Sequence, residues 1–263
     1  MDLGLKGKVA VVAGSSQGLG RAIADALAAE EVDLVINSRS PEKLERVKAE
    51  IAEATGAKVE AVAVDLTPAE GGATLVAGAE KAFGRVDILV TNTGGPPAGM
   101  FEDHEPDVWR EAIAQNFESV VNLVRAALPG MKERAWGRIL NVTSISVKQP
   151  VEGLILSNAI RAGVTGFAKT VSNEVASYNV TVNNVLPGYT RTERLIHLAE
   201  AISEREGKSI DEVYDGWAAE IPAGRLAEPP ELGAVAAFLC SEQASYVTGQ
   251  SVAVDGGWIK GLF

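Results

Sequence analysis

Short apolar runs rich in β-branched residues recur along the chain, and each is followed by a longer stretch whose apolar positions repeat every three to four residues. The runs at 9–13, 33–37, 58–64, 87–91, 138–142, 181–186 and 251–254 predict strands, several of them apolar almost throughout, as strands covered on both faces must be. Helical spacing fills 21–30, 42–55, 69–83, 107–133, 155–177 and 231–239. Ser40 with Pro41, Thr67 with Pro68 and Glu70, and Ser209 with Glu212 have the chemistry that satisfies first-turn amides and mark helix starts. Strictly alternating strands and helices require right-handed crossovers, so the pattern predicts an α/β doubly wound parallel sheet of about seven strands, with helices on both faces. No repeat, low-complexity tract or linker divides it, and one domain over 1–263 is expected. The Pro- and Gly-rich 94–99 stretch reads as a loop at a strand's carboxyl end.

Composition narrows the partners. With 263 residues, 46% hydrophobic and 22% charged, the chain can bury one large core. A formal charge of -11 disfavours nonspecific binding to nucleic acid or anionic membrane by long-range repulsion. No apolar run approaches the roughly 20 residues that span a bilayer, and the start lacks a secretion-signal pattern. Cys240 is the single cysteine, which rules out an intramolecular disulfide. A soluble cytoplasmic protein is expected.

The first chemistry appears at Gly14, Ser15, Ser16, Gln17, Gly18, Leu19 and Gly20, between the first strand and the first helix. Gly14 permits the tight exit, Gly18 lets the backbone approach a diphosphate, and Gly20 allows close helix packing, while unpaired amides and the helix dipole face the anion. This is a Rossmann-type dinucleotide cradle. The second strand ends Asn37, Ser38, Arg39, with no carboxylate to accept the ribose 2′-hydroxyl and a guanidinium for a 2′-phosphate. NADP(H) is therefore favoured over NAD(H), although Arg39 can also be read as a solvated loop cation.

Together these residues resemble the short-chain dehydrogenase/reductase family over essentially the whole chain, and its 3-oxoacyl-(acyl carrier protein) reductase group in particular. Gly14, Gly18 and Gly20 match the family's glycine turn, with Ala13 where threonine is usual. Asp65 and Leu66 match the adenine contact, Asn92, Thr93 and Gly94 the segment after the fourth strand, and Asn116 the helix asparagine of the catalytic tetrad. Pro187 and Gly188 match the turn after the sixth strand, Thr192 the threonine on the carboxamide side, and Asp255, Gly256 and Gly257 the C-terminal signature. The resemblance implies coenzyme contacts from Ser16, Gln17, Leu19, Ser38 and Arg39 as well, and a homo-oligomer, tetramer or dimer, joined through helices 107–133 and 155–177.

The catalytic segment departs from that pattern. The family places a tyrosine thirteen residues after its serine and a lysine four beyond; here Ser144 is followed at those spacings by Ser157 and Arg161. Register is kept while the phenol and ammonium are replaced. An aliphatic hydroxyl is a far weaker acid than a phenol near pKa 10, and a guanidinium does not ordinarily release its proton. General acid catalysis contributes about 10²- to 10⁴-fold, so its loss is compatible with a slow reductase.

Two substitutes are available: Tyr189, beside the Pro187–Gly188 turn, as a phenol, and Lys148 as an ammonium; their bland readings are a packing ring and a solvated lysine. His104 and His197 lack paired ligand spacing, so no metal site is expected. Trp109 and Trp136 read as core or subunit contacts, and Cys240 as a small buried hydrophobe. The segment 189–223 is expected to form a substrate lid, apolar through Leu195, Ile196, Leu198, Ile202 and Trp217 and cationic through Arg191, Arg194 and Arg205, suited to an amphipathic carbonyl compound with an acidic end; its bland reading is a helical flap packed on the core. The leading expectation is an NADP-dependent carbonyl reductase or alcohol dehydrogenase with small-molecule substrates, catalytic through Asn116, Ser144, Ser157 and Arg161. The alternatives are a non-catalytic coenzyme-binding sensor or partner subunit and, more remotely, lyase or isomerase chemistry.

Overall fold

The structure, a computed structural model, describes residues 2–262, so Met1 and Phe263, the two ends of the expected domain, lie outside the described residues. All seven expected strands form one parallel sheet: β1 (Val9–Val12), β2 (Asp33–Ser38), β3 (Val59–Ala63), β4 (Ile88–Thr91), β5 (Gly137–Val142), β6 (Val180–Pro187) and β7 (Ser251–Val254), in the order β3-β2-β1-β4-β5-β6-β7. Side chains alternate across each strand. Ala10 and Val12 of β1 face one core, whereas Val11 and the following Ala13 face the other.

Helices α1 (Gly18–Ala29), α2 (Pro41–Thr55) and α9 (Pro229–Leu239) cover the first face with Ile23, Leu27, Leu44, Val47, Leu232 and Leu239. Helices α3 (Gly71–Phe83), α5 (Ser119–Glu133) and α6 (Ile155–Val175) cover the second with Leu75, Val76, Leu123, Val124 and Val171. β1 pairs with both β2 and β4, so the chain reverses its direction of winding there. In open α/β sheets this reversal opens a crevice at the carboxyl ends of the strands, where ligands bind.

The expected helix 107–133 is divided. Helix α4 (Pro106–Ile113) passes into a π-helical turn, Ala114–Glu118, before α5 begins. Such turns interrupt the regular ladder without breaking the apolar period, so the sequence pattern runs through the interruption. The expected cap at Thr67 is also corrected. The Thr67 amide donates to the Asp65 carboxylate at 2.9 Å, and α3 starts only at Gly71 without a side-chain cap. A Cβ at Gly71 would collide with the Asp65 carbonyl, which explains glycine at that start. Ser40 does cap α2, and Ser209 the helix that begins at Ile210, as their spacing predicts.

The expected lid consists largely of two helices, α7 (Glu193–Glu206) and α8 (Ile210–Glu220). They have a small core of their own in Ala199, Val213, Trp217 and Leu226, packed on Tyr189, Leu195 and Leu198. Ile196 points outward, 43% exposed, contrary to its expected place on the lid's apolar side.

Candidate active site

The cradle is built by backbone that only glycine supplies. Gly14 and Gly18 adopt φ of +58° and +59°, and a Cβ on Gly20 would strike the Gly14 carbonyl. No side chain caps α1, which leaves its first-turn amides directed at the crevice. These features fit a diphosphate held by main-chain N–H groups. Behind the turn, fully buried Ser15 donates to the Val12 carbonyl at 2.7 Å and accepts from the Asn37 amide at 3.0 Å, while Asn92 donates to the Gly14 carbonyl at 3.0 Å. Asn37 also donates to the Val62 and Val64 carbonyls at 3.0 Å each. The ends of β1, β2, β3 and β4 are thereby stitched together, which fixes the position of the following Ser38 and Arg39.

A cleft of about 480 Å³ on this side is lined by Gly14, Ser16, Gln17, Ser38, Arg39, Lys43, Asp65, Leu66, Asn92 and Gly94, among others. Gln17, Gly18, Leu19 and Thr192 line its continuation, and Gly20 lies behind the wall. Lys43 belongs to no motif in the sequence. It sits on the first turn of α2, donates to Gln17 at 3.1 Å, and places a second cation near Arg39. The Thr67 amide, together with the charge of Arg39, holds the Asp65 carboxyl below the usual carboxylate range.

Beyond the switch point a larger cleft of about 900 Å³ gathers Ser144, Ser157, Arg161, Pro187, Gly188, Tyr189, Thr192 and Arg194. Ser144 follows β5; its oxygen accepts the Ser146 amide at 3.1 Å, leaving its own proton to donate elsewhere. Ser157 and Arg161 share a face of α6 and are 7% and 9% exposed. The Ser157 hydroxyl has no hydrogen-bond partner among the described residues. The Arg161 guanidinium donates to the Val142 carbonyl at 2.8 Å and pairs with no carboxylate among the described residues. Burial, reinforced by the nearby Arg194, pushes its pKa down to about 10. It remains a cation at neutral pH.

Asn116 sits in the π-helical turn, 2% exposed and outside the cleft lining; it donates to the Ala112 carbonyl at 3.2 Å and accepts from Thr93 at 3.0 Å. Thr93 and Gln115 line the cleft in its place. Gly188 packs so closely on Asp255 that a Cβ would approach its Cα to 2.8 Å, and the Asp255 carboxylate accepts the Gly257 and Ile259 amides. The C-terminal signature thus braces the turn beside the cleft. Thr192 accepts the Leu195 amide and caps α7, with its methyl group against Gly18.

The candidate substitutes separate. Tyr189 lines the cleft, but its ring stacks on Trp217 at 5.3 Å and meets Trp258 edge-on, and burial together with Glu220 raises its pKa, which weakens it as an acid. Lys148 is exposed and outside the lining. His197 pairs with Glu200 at the rim, while His104 tucks against Gly99. Of the three lid arginines, Arg191 engages Glu228 and Arg205 engages Glu206, so only Arg194 faces the cleft. Trp109 packs edge-on with Phe101, and Trp136 is buried beneath Lys8 and Arg138. Cys240 is fully buried. Among the described residues no helix is long and apolar enough to cross a membrane, and no cluster of three or more His, Cys, Asp or Glu is placed to hold a metal.

Comparison with known proteins adds identity to this geometry. A family profile described as enoyl-(acyl carrier protein) reductase matches residues 13–259. The D-beta-hydroxybutyrate dehydrogenase of Cupriavidus necator is 37% identical, covering 97% of this chain and 99% of that protein. The 3-oxoacyl-[acyl-carrier-protein] reductase of Aquifex aeolicus is 33% identical over 98% of this chain and 99% of its own. The crystal structure of L-sorbose reductase from Gluconobacter frateurii, complexed with NADPH and L-sorbose, superposes with a TM-score of 0.95 at 35% identity, each chain covered completely. The chain belongs to the short-chain dehydrogenase/reductase family and is an NAD(P)-dependent oxidoreductase.

Proposed function

We propose that this protein reduces a small-molecule carbonyl with NADPH, and oxidises the corresponding alcohol in reverse, with two serines and a buried arginine in place of a phenol and an ammonium. The observation that carries the reading is the convergence of Ser144, Ser157 and Arg161 on one cleft that continues from the glycine cradle. Gly14, Ser16, Gln17, Gly18 and Leu19 hold the diphosphate, with Gly20 letting α1 pack close behind them, Asp65, Leu66, Asn92 and Gly94 the adenosine side, and Pro187, Gly188 and Thr192 the carboxamide side. Arg39, with Ser38 and Lys43, receives the 2′-phosphate; two cations and no carboxylate at the end of β2 support NADP(H) over NAD(H).

The bound nicotinamide supplies the hydride. As negative charge builds on the carbonyl oxygen, the Ser144 and Ser157 hydroxyls donate hydrogen bonds to it and Arg161 stabilises it electrostatically, a contribution that is large in a desolvated site. The proton that completes the alcohol is drawn ultimately from solvent, because a serine hydroxyl that passes its proton to the alkoxide must be reprotonated from there. Asn116 acts as a positioning residue that fixes Thr93. The assembly is read as a homo-oligomer, dimer or tetramer, in the cytoplasm; Phe101 and Tyr246, 69% and 102% exposed, are apolar surface consistent with a covering subunit.

Oxidation of NADPH, followed by absorbance across a panel of ketones, oxo acids and aldehydes, tests the proposal. Turnover above background that falls in Ser144→Ala is expected, and no turnover with any carbonyl would overturn it. Activity appearing only in the Ser157→Tyr, Arg161→Lys variant would instead favour a coenzyme-binding sensor or partner subunit.

A further inference from the structure

Beyond the coenzyme cradle, the active-site cleft is lined by two arginines that form no ion pair with a carboxylate among the described residues. Arg161 is buried in its wall, whereas Arg194, on the first turn of the lid helix α7, is exposed at its rim and lines the same space. Neither forms an ion pair with any described carboxylate, although the chain carries 35 Asp and Glu against 24 Lys and Arg. Burial lowers the pKa of both, and the charge of Arg194 lowers that of Arg161 further.

Arg194 is also held in place. Its two terminal nitrogens donate to the Gly95 and Pro96 carbonyls at 2.9 and 3.2 Å, leaving Nε–H and one proton on each Nη for a ligand. The guanidinium lies on Gly95, where any Cβ would collide with it. Fixing the fork beforehand reduces the ordering cost of recognising a planar anion. Around it the cleft is apolar, through Val108, Val151, Leu154, Leu195 and Leu198. The cleft-lining carboxylates Glu111 and Glu193 are exposed and lie outside ion-pair distance of either arginine.

We infer that the substrate is an oxo acid with an apolar body, its carboxylate bound by Arg194 in the field of Arg161. The inference rests on the reductase reading for the carbonyl, but the carboxylate subsite stands on the arginines alone. One anion chemistry has two sources here: a substrate carboxylate, to which the apolar lining points, and the coenzyme diphosphate.

Titration calorimetry with octanoate and methyl octanoate on the protein without coenzyme reads the subsite directly. Octanoate is expected to bind at least tenfold more tightly than the ester, and Arg194→Met to weaken octanoate about 10- to 100-fold with the ester unchanged, as for loss of a charged hydrogen-bond donor. Arg194→Lys, which keeps the charge but not the fork, should recover part of that loss. With NADPH, 2-oxooctanoate should likewise be preferred to its methyl ester, and the preference should collapse in Arg194→Met. Equal binding of acid and ester, or equal weakening of both, would overturn the inference. So would Arg194→Met weakening NADPH binding while sparing octanoate, which would assign the guanidinium to the diphosphate. Turnover of neutral ketones with no discrimination for the acid defeats the inference and leaves the reductase reading standing. Selective octanoate binding without turnover of any carbonyl does the reverse.

Discussion

The guanidinium of Arg194 occupies the place where a side chain on Gly95 would begin, although the two residues are 99 apart in the chain. The contact ties the lid helix α7 to the loop after β4 across the mouth of the cleft. Gly95 is in no left-handed conformation, so its lack of a Cβ serves the arginine and not the backbone.

Gly95→Ala should therefore displace a flexible side chain without deforming the fold. The expected loss of stability is under about 1 kcal/mol, as at most positions whose neighbour can move away. The lid helix loses its two hydrogen bonds to the loop after β4, and about 1 kcal/mol in binding is roughly fivefold in KM. Calorimetric melting and steady-state kinetics together check this: a near-native melting temperature with a raised KM is expected, whereas a large drop in melting temperature would show that Gly95 serves the backbone.

Ser144→Ala separates chemistry from binding. The hydroxyl lies beyond the coenzyme cradle, so NADPH affinity measured by calorimetry should stay within about twofold, while kcat falls about 10²- to 10³-fold, the usual effect of removing one donor to a developing oxyanion. The same oxygen accepts the Ser146 amide, and losing that cap should cost about 1 kcal/mol of stability. A large change in NADPH affinity with kcat preserved would remove Ser144 from the reacting end.

Arg39→Ala and Lys43→Ala test coenzyme selection. Each removes a cation from the end of β2, so each should raise the Kd for NADPH by about 10- to 100-fold and leave that for NADH within about twofold. The difference should shrink with added salt, because both groups are at the surface. Parallel losses for the two coenzymes would show that these cations do not read the 2′-phosphate.

Much of this was legible because it is local. β1 and α1 announce themselves through apolar period, and the glycines between them have a backbone reason to be glycine. Ser209 and Glu212 mark the start of α8 by reciprocal capping. The π-helical turn at Asn116 was hidden, since one widened turn leaves the apolar repeat on both sides intact. Arg194 could not be distinguished from Arg191 and Arg205, because pairing with Glu228 or Glu206 removes the other two only in three dimensions. Lys43 looked like an ordinary solvated helix residue until α2 packed beside the cradle.

Cys240 gives a test that depends on packing alone. Its thiol closes α9 with no exposure, and burial pushes its pKa up to about 12 from an ordinary value near 9. At pH 8 the thiolate is then roughly one part in ten thousand, so a disulfide reagent should titrate no thiol in the native protein and one in denaturant. The same shift affects stability. As pH rises above about 9 the unfolded chain loses this proton while the folded protein keeps it, so stability falls from there until the folded thiol ionises near 12. Arg161 has the opposite sign, because its folded pKa lies below the unfolded value; above about 10 the unfolded chain holds the extra proton, and stability rises with pH on that account. Between pH 9 and 10 the thiol therefore acts without that opposition. Urea unfolding of the wild type and of Cys240→Ala at pH 7, 9 and 10 isolates its effect, since other groups titrate alike in both. The variant should be less stable by a constant cavity cost at pH 7, and the gap should narrow by up to about 1 kcal/mol between pH 9 and 10. A gap that stays constant across that range would place the thiol in contact with solvent or an undescribed partner.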